Sequence, residues 1–365
     1  MKLSQLTAYL ENLAPLAYQE DYDNSGLIVG DPNREVYSAL ISLDCTEAVV
    51  QEAVETVCQV VVSHHPIVFR GLKKFNGKTY VERVVEMAIR NNIAIYAIHT
   101  NLDNVTGGVN TRICETLGLK NLRILAPKAG LLKKLVTFVP LEHAERVRSD
   151  LFNAGAGYIG NYSDVSFNAE GTGTFKANEN AHPFVGATGE LHREKEMRIE
   201  IVYPGLIERN LIAALIAAHP YEEVAYDLCP LTNQHEQVGA GIVGEFDETL
   251  PERAFLAHVK EKMQARVIRH TDFTNKPIKR VAVCGGAGSS LLKQAIAAGA
   301  DAFITADFKY HEFFDAEGKV LIADIGHFES EQFTQQLLFE IISKKFSNFA
   351  VRLTKTNTNP VKYYI

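Results

Sequence analysis

Three runs of consecutive apolar residues leave this chain few folds to choose from. Val60-Val61-Val62, the stretch Ile-Ala-Ile-Tyr-Ala-Ile over 93–98, and Val-Leu-Ile-Ala over 320–323 are apolar at every position. A strand with one wet face alternates polar and apolar residues; a strand that does not alternate must be covered on both faces, as in a parallel sheet flanked by helices. The intervening segments fit that role. Thr46 precedes a helical stretch over 47–56 as a capping residue, and 80–91 sets Val81, Val84, Val85 and Ala88 at helical spacing. Tyr37-Ser-Ala-Leu-Ile-Ser-Leu adds a further strand that ends at Asp44.

The same grammar returns after about residue 278. Lys279-Arg-Val-Ala-Val-Cys is a strand, Gly285-Gly-Ala-Gly-Ser-Ser opens a helix, and Asp301-Ala-Phe-Ile-Thr is a short strand. Residues 330–345 read as one long amphipathic helix carrying Phe333, Leu337, Leu338 and Ile341. The middle differs: Lys134-Leu-Val-Thr-Phe-Val-Pro and Met197-Arg-Ile-Glu-Ile-Val-Tyr alternate, helices are expected over 141–153 and 206–218, and a Gly-rich polar stretch spans 161–189. At 365 residues the chain exceeds what one core usually organises. The expected fold is α/β: two similar α/β halves (1–130 and 232–365) forming one core, interrupted by a ferredoxin-like α+β insert over 131–231.

Charge and cysteine usage narrow the function. Thirty-seven basic against 44 acidic side chains give a net charge of −7, which argues against non-specific nucleic-acid binding. Five scattered cysteines with no C-x-x-C pattern point to a reducing compartment, and no apolar stretch approaches a membrane span, so a cytoplasmic protein is expected.

Chemistry-bearing residues gather where the apolar strands end. His64-His65 terminates the first run, His99-Thr-Asn-Leu-Asp103 follows the second, and His327 follows the third, with Glu331 one helical turn beyond. Functional groups collect at the carboxyl ends of strands in open α/β sheets. Three imidazoles and two carboxylates would form a mixed nitrogen and oxygen site suited to Zn, Mn, Fe, Co or Ni. Five ligands exceed what one catalytic zinc takes, so two ions sharing a carboxylate use the set economically. The plain alternative is that the histidines are separate strand-end residues satisfied by the backbone. The H-x-x-x-E spacing recurs at His192/Glu196 and His219/Glu223, away from the sheet ends, where coincidence is the simpler explanation. Asp307 and His311, four apart after a strand, are candidates to support a ligand, contact substrate or assist catalysis, and His99 to orient a ligand, with a surface or helix-capping role the alternative for all three. Asp23-Asn-Ser-Gly26 is ordinary turn chemistry as well as a possible functional loop. Gly285-Gly-Ala-Gly288 hints at a phosphate-binding turn but lacks the full dinucleotide pattern.

Together, Tyr22-Asp-Asn-Ser-Gly-Leu-Ile-Val-Gly30, Ser63-His-His-Pro66, His99-Thr-Asn-Leu-Asp103, Asp307-Phe-Lys-Tyr-His311 and Asp324-Ile-Gly-His-Phe-Glu-Ser-Glu331 resemble the NGG-one-interacting-factor-three family. Its members are also known as GTP cyclohydrolase I type 2 homologues. The resemblance covers roughly 1–130 and 235–365, and the middle, with His219-Pro-Tyr-Glu-Glu223, is similar to the P-II/CutA-like insert of the longer members. It implies a dinuclear centre of two divalent transition-metal ions on His64, His65, Asp103, His327 and Glu331, facing the cavity of a toroidal homohexamer. The implied activity is that of a metal-dependent hydrolase of a nucleotide-like or phosphorylated small molecule. A metal-binding assembly or regulator without catalysis, whose insert binds an effector, is the alternative.

Overall fold

Each apolar run becomes a buried strand of a computed structural model that describes residues 1–364. The strands Val60–Ser63, Ala94–Ala97 and Leu321–Asp324 are buried at every position. The chain divides into two units, one of residues 1–127 with 237 onward and the other Lys128–Glu236. The strands Lys120–Ala129 and Gln234–Leu250 run through the two boundaries.

The first unit holds two sheets. One has five strands in the order Gly26–Val29, Ala94–Ala97, Val60–Ser63, Ser38–Ser42, Ala350–Leu353. All neighbours are parallel except Gly26–Val29. The helices Glu47–Glu55 and Tyr80–Arg90 cover it, with Val49, Val50, Ala53, Val84, Val85 and Ala88 packed on Leu40, Val61 and Ile95. Both helices start where the sequence signals it: the Thr46 and Thr79 hydroxyls accept from the Val49 and Glu82 backbone N–H groups. Burying each such valine, leucine or isoleucine contributes about 1.5–3 kcal/mol, so this layer fixes the strand ends that follow. In the second sheet Ile278–Ala287, Ala302–Ala306 and Leu321–Asp324 run parallel in that order around a core of Ala282, Phe303 and Ile322.

The second unit is a four-stranded antiparallel sheet ordered Phe167–Lys176, Leu191–Pro204, Leu132–Pro140, Tyr226–Pro230. The helices Ala144–Asn153 and Glu208–Ala218 bury Val147, Leu151, Leu211 and Leu215 against Leu135, Ile199, Ile201 and Tyr203.

Two expectations are corrected. The Gly-rich stretch contains a full strand, Phe167–Lys176, whose backbone pairs along Leu191–Pro204 even though its side chains carry no strand signal. The single helix over 330–345 is two: His327–Glu331, then Thr334–Lys345. One straight helix cannot both aim His327 and Glu331 into a site and bury Leu337, Leu338 and Ile342 in the core. Among the described residues no helix is long and apolar enough to cross a membrane.

Candidate metal centre

Parallel strands deliver the chemistry to one edge. His64 and His65 follow Val60–Ser63; Asp103 closes the short helix Thr100–Asp103 beyond Ala94–Ala97; His327 and Glu331 are the first and last residues of the helix after Leu321–Asp324. All five side chains converge, and Glu331 lies at the middle. Its Oε2 is 3.0 Å from His65 Nε2 and 3.1 Å from His327 Nε2, while Oε1 is 3.8 Å from His64 Nε2. His64 Nε2 is 3.6 Å from Asp103 Oδ1, and the Nε2 atoms of His65 and His327 are 3.3 Å apart. Among the described residues three groups of possible ligands result: His65/His327/Glu331 and His64/Asp103/Glu331, with only the carboxylate in common, and His64/His65/His99.

The spacing fits metal ligands. Ligand atoms bound at about 2.0–2.1 Å around a tetrahedral ion stand about 3.3 Å from one another. The second triplet bears a further mark: His64 Nε2 and Asp103 Oδ1 are buried and, among the described residues, have no hydrogen-bond partner. Buried polar atoms are rarely left so, and a lone pair beside a carboxylate oxygen is what a cation satisfies.

The far side of each ring is tied down. His64 Nδ1 donates to the Ile98 carbonyl at 2.8 Å, which fixes the tautomer and leaves Nε2 as a bare lone pair. His65 Nδ1 meets Asp44 Oδ1 at 2.8 Å, and His327 Nδ1 meets Asp307 Oδ2 at 2.6 Å. An imidazole ligand held at its other nitrogen by a carboxylate or carbonyl is the usual support of a metal site. Asp307 adopts a left-handed backbone (φ +58°), tolerated by aspartate, in order to reach that ring.

The electrostatics follow from the packing. Burial pushes His64 down to about 4, so it is neutral at pH 7. Burial also opposes charge on His65 and His327, but their carboxylate partners outweigh it and raise them to about 9 and about 11. Glu331 is held well below the usual carboxylate range: burial works against its charge, and the three imidazoles override it. Asp103 is raised well above its ordinary value by burial and the neighbouring Glu331 charge.

A cavity of about 1110 Å³ opens onto these groups, with Arg269, Tyr22 and Phe69 in its wall. His99 lines it as well; its Nδ1 meets the Asp23 carboxylate at 2.8 Å, and its ring lies 5.2 and 5.3 Å from those of His64 and His65. The bond to His99 keeps Asp23 well below its ordinary value despite burial. His311 stands apart, exposed among the rings of Tyr310 and Phe314. His192, Glu196, His219 and Glu223 lie in the insert, and His192 and Glu196 are on a strand rather than a helix.

The Gly285-Gly286 turn serves the centre rather than a phosphate. Its two N–H groups already donate to Asn110 Oδ1 and Ser330 Oγ. Gly286 has φ +63°, and a Cβ there would sit 2.5 Å from Glu331 Oε1, so glycine is what lets the turn close over the shared carboxylate. Asp44 is the functional part that sequence reasoning missed, its one signal being its place just past the strand Ser38–Ser42, and the glycines, read from sequence as a possible phosphate turn, close the strand Ile278–Ala287 over the carboxylate instead.

Known proteins give the same architecture a family. The chain is 37% identical to a GTP cyclohydrolase 1 type 2 homolog of Bacillus subtilis over 98% of each sequence. It superposes on a Bacillus cereus protein related to NIF3 with a TM-score of 0.86 at 38% identity, covering 100% of this chain and 99% of that one. A Staphylococcus aureus protein, SA1388, gives 0.80 at 28% identity over 100% and 99%. The model of one family matches residues 1–360, and the chain therefore belongs to the Duf34/NIF3 (NGG1p interacting factor 3) family.

Proposed function

We propose that this protein binds two divalent transition-metal ions, held by His65, His327 and Glu331 and by His64, Asp103 and Glu331, and that it hydrolyses a nucleotide-like or phosphorylated small molecule. The carrying observation is the buried, unpartnered pair His64 Nε2 and Asp103 Oδ1 beside a carboxylate that also serves the second triplet. Zn, Mn, Fe, Co and Ni all suit this donor set. Such ions, when bound, would polarise a substrate oxygen and ease deprotonation of a water nucleophile.

The chain's own groups do the rest. Asp44, Asp307 and the Ile98 carbonyl hold three rings in register, which makes Asp307 a positioning residue acting through His327. Asp23 holds the His99 Nδ1 proton, leaving Nε2 to accept or return a proton within the cavity. Arg269, bonded to the Phe308 carbonyl and paired with Asp324, supplies a guanidinium in the cavity wall for a phosphate. The strand order of the insert supports its reading as a ferredoxin-like, P-II/CutA-like module, and the runs of parallel strands within both mixed sheets support two α/β halves sharing one metal core. The working form in this reading is a cytoplasmic, toroidal homohexamer, checked by light scattering of the purified protein.

The test begins with elemental analysis of protein purified without added metal, then a turnover screen over phosphate esters and GTP with His65→Ala as control. About two ions per chain and turnover lost in the variant support the reading. No metal even after reconstitution, or full turnover in His65→Ala, overturns it. Stoichiometric metal with no turnover on any substrate class moves the protein to the non-catalytic binding alternative.

A further inference from the structure

The insert has a cavity of its own. Along its central strand Ile199, Ile201 and Tyr203 face the helices, so Glu194, Glu196 and Arg198 face the opposite side. A hollow of about 950 Å³ lies there, bordered by Glu196, Phe175, Phe184 and Tyr221. Glu196 is only 8% exposed. Its Oε1 accepts from the Tyr221 hydroxyl at 3.0 Å, whereas no donor among the described residues serves Oε2.

The neighbouring strand makes room for that carboxylate and for something beside it. A Cβ on Gly173 would sit 2.0 Å from Glu196 Oε2, so only glycine leaves the acid in place. Gly171, directly paired with Glu196, has nothing within 4 Å of where a side chain would begin. Aromatic faces complete the hollow: the Tyr221 ring lies 6.0 Å from Phe175 and 6.3 Å from Phe184. Four carboxylates line it (Glu170, Glu196, Glu222 and Glu223) against Lys176 and Arg198, and Arg198 is already paired with Glu200 at 2.9 Å. Aromatic faces attract cations, and a net negative lining repels phosphate.

We infer that this hollow binds a small organic ammonium ion, with the charged head on Glu196 and the alkyl part among Phe175, Phe184 and Tyr221. The inference goes beyond the metal-dependent reaction and stands on the insert alone. A nucleotide would meet the wrong charge here.

Isothermal titration of the full chain with n-butylammonium, n-butanol and ATP tests it. Saturable binding of one n-butylammonium per chain is expected, with n-butanol at least about tenfold weaker, since a hydrogen bond to a charged group carries that difference. Glu196→Gln should weaken the amine about tenfold or more. Gly171→Val, whose Cβ would meet nothing within 4 Å, fills open space beside the acid and should do the same while melting at the wild-type temperature. Chelation of metal should leave amine binding unchanged, which separates this site from the metal centre. Equal binding of butanol and butylammonium, preferential binding of ATP, no binding of any probe, or an unaffected Glu196→Gln variant would each overturn the inference.

Discussion

Removing the Glu331 carboxylate should empty both halves of the metal centre, whereas removing any other ligand should empty one. The geometry makes the asymmetry: Oε2 lies 3.0 and 3.1 Å from His65 and His327, Oε1 lies 3.8 Å from His64, and no other side chain is common to both triplets. A four-ligand zinc site is worth about 10–16 kcal/mol, so one ligand carries about 3 kcal/mol, a factor of about 100 in Kd. Glu331→Ala incurs that loss at both positions, and His327→Ala or Asp103→Ala at one. The assay is metal per chain after gel filtration in a zinc buffer poised above the wild-type Kd by about tenfold. Expected values are about two for wild type, about one for His327→Ala and Asp103→Ala, and near zero for Glu331→Ala. Breaking a buried ion pair costs about 3–5 kcal/mol, so Glu331→Gln, which keeps the shape and one acceptor, separates ligand loss from unfolding. A folded Glu331→Ala protein that keeps one ion, or a His327→Ala protein that loses both, would refute a shared carboxylate.

Three further outcomes follow from the same geometry. Metal must displace the protons that His65 and His327 retain up to about 9 and about 11, so zinc affinity should rise steeply from pH 6 to 8. Titration calorimetry at pH 7 in buffers of different ionisation enthalpy should then show about two protons or more released per chain, and none released would contradict the assignment. Asp307→Asn should weaken one of the two ions by about 10–100-fold and lower the His327 pKa, read by NMR titration of the metal-free protein; an unmoved pKa would deny Asp307 its positioning role. Gly286→Ala places a Cβ 2.5 Å from Glu331 Oε1 at φ +63°, so a loss of about 1–3 kcal/mol in thermal stability with reduced metal loading is expected, against wild-type values if the turn is slack.

The parts legible in the sequence share a physical cause. Fully buried parallel strands carry an unmistakable pattern, and the proposed ligands sit beside them because His64 and His65 directly follow one strand end while Asp103 and His327 lie a few residues past two others. What the sequence hid depends on partners far along the chain. Phe167–Lys176 forms a strand because Leu191–Pro204 satisfies its backbone, and its own Gly-Thr-Gly-Thr side chains offer no signal. Asp44 matters only because His65 turns its Nδ1 toward it, whereas Asp307 was legible as a candidate near a sheet end and only its bond to His327 had to come from the structure. The break after Glu331 is hidden likewise, since the sequence is helical on both sides of it and only the demands of two different cores separate them.

The protonation of the metal-free centre argues for the same conclusion from another direction. His65 and His327 stay charged at neutral pH, and Asp103 is pushed toward its neutral form, all within reach of one ionised Glu331. Protons thus sit on atoms that the two triplets would offer to ions, because buried carboxylates this close must be neutralised by something. Two dications bring four positive charges, and the departing protons of His65 and His327 remove two of them, so the pocket's net charge changes by half of what the ions carry. The supporting carboxylates Asp44 and Asp307 remain outside that exchange and keep the rings aimed in both states. Part of the charge that ions would bring is thus already held as protons on the same imidazoles, so the proposed loading asks for less rearrangement of the buried carboxylates.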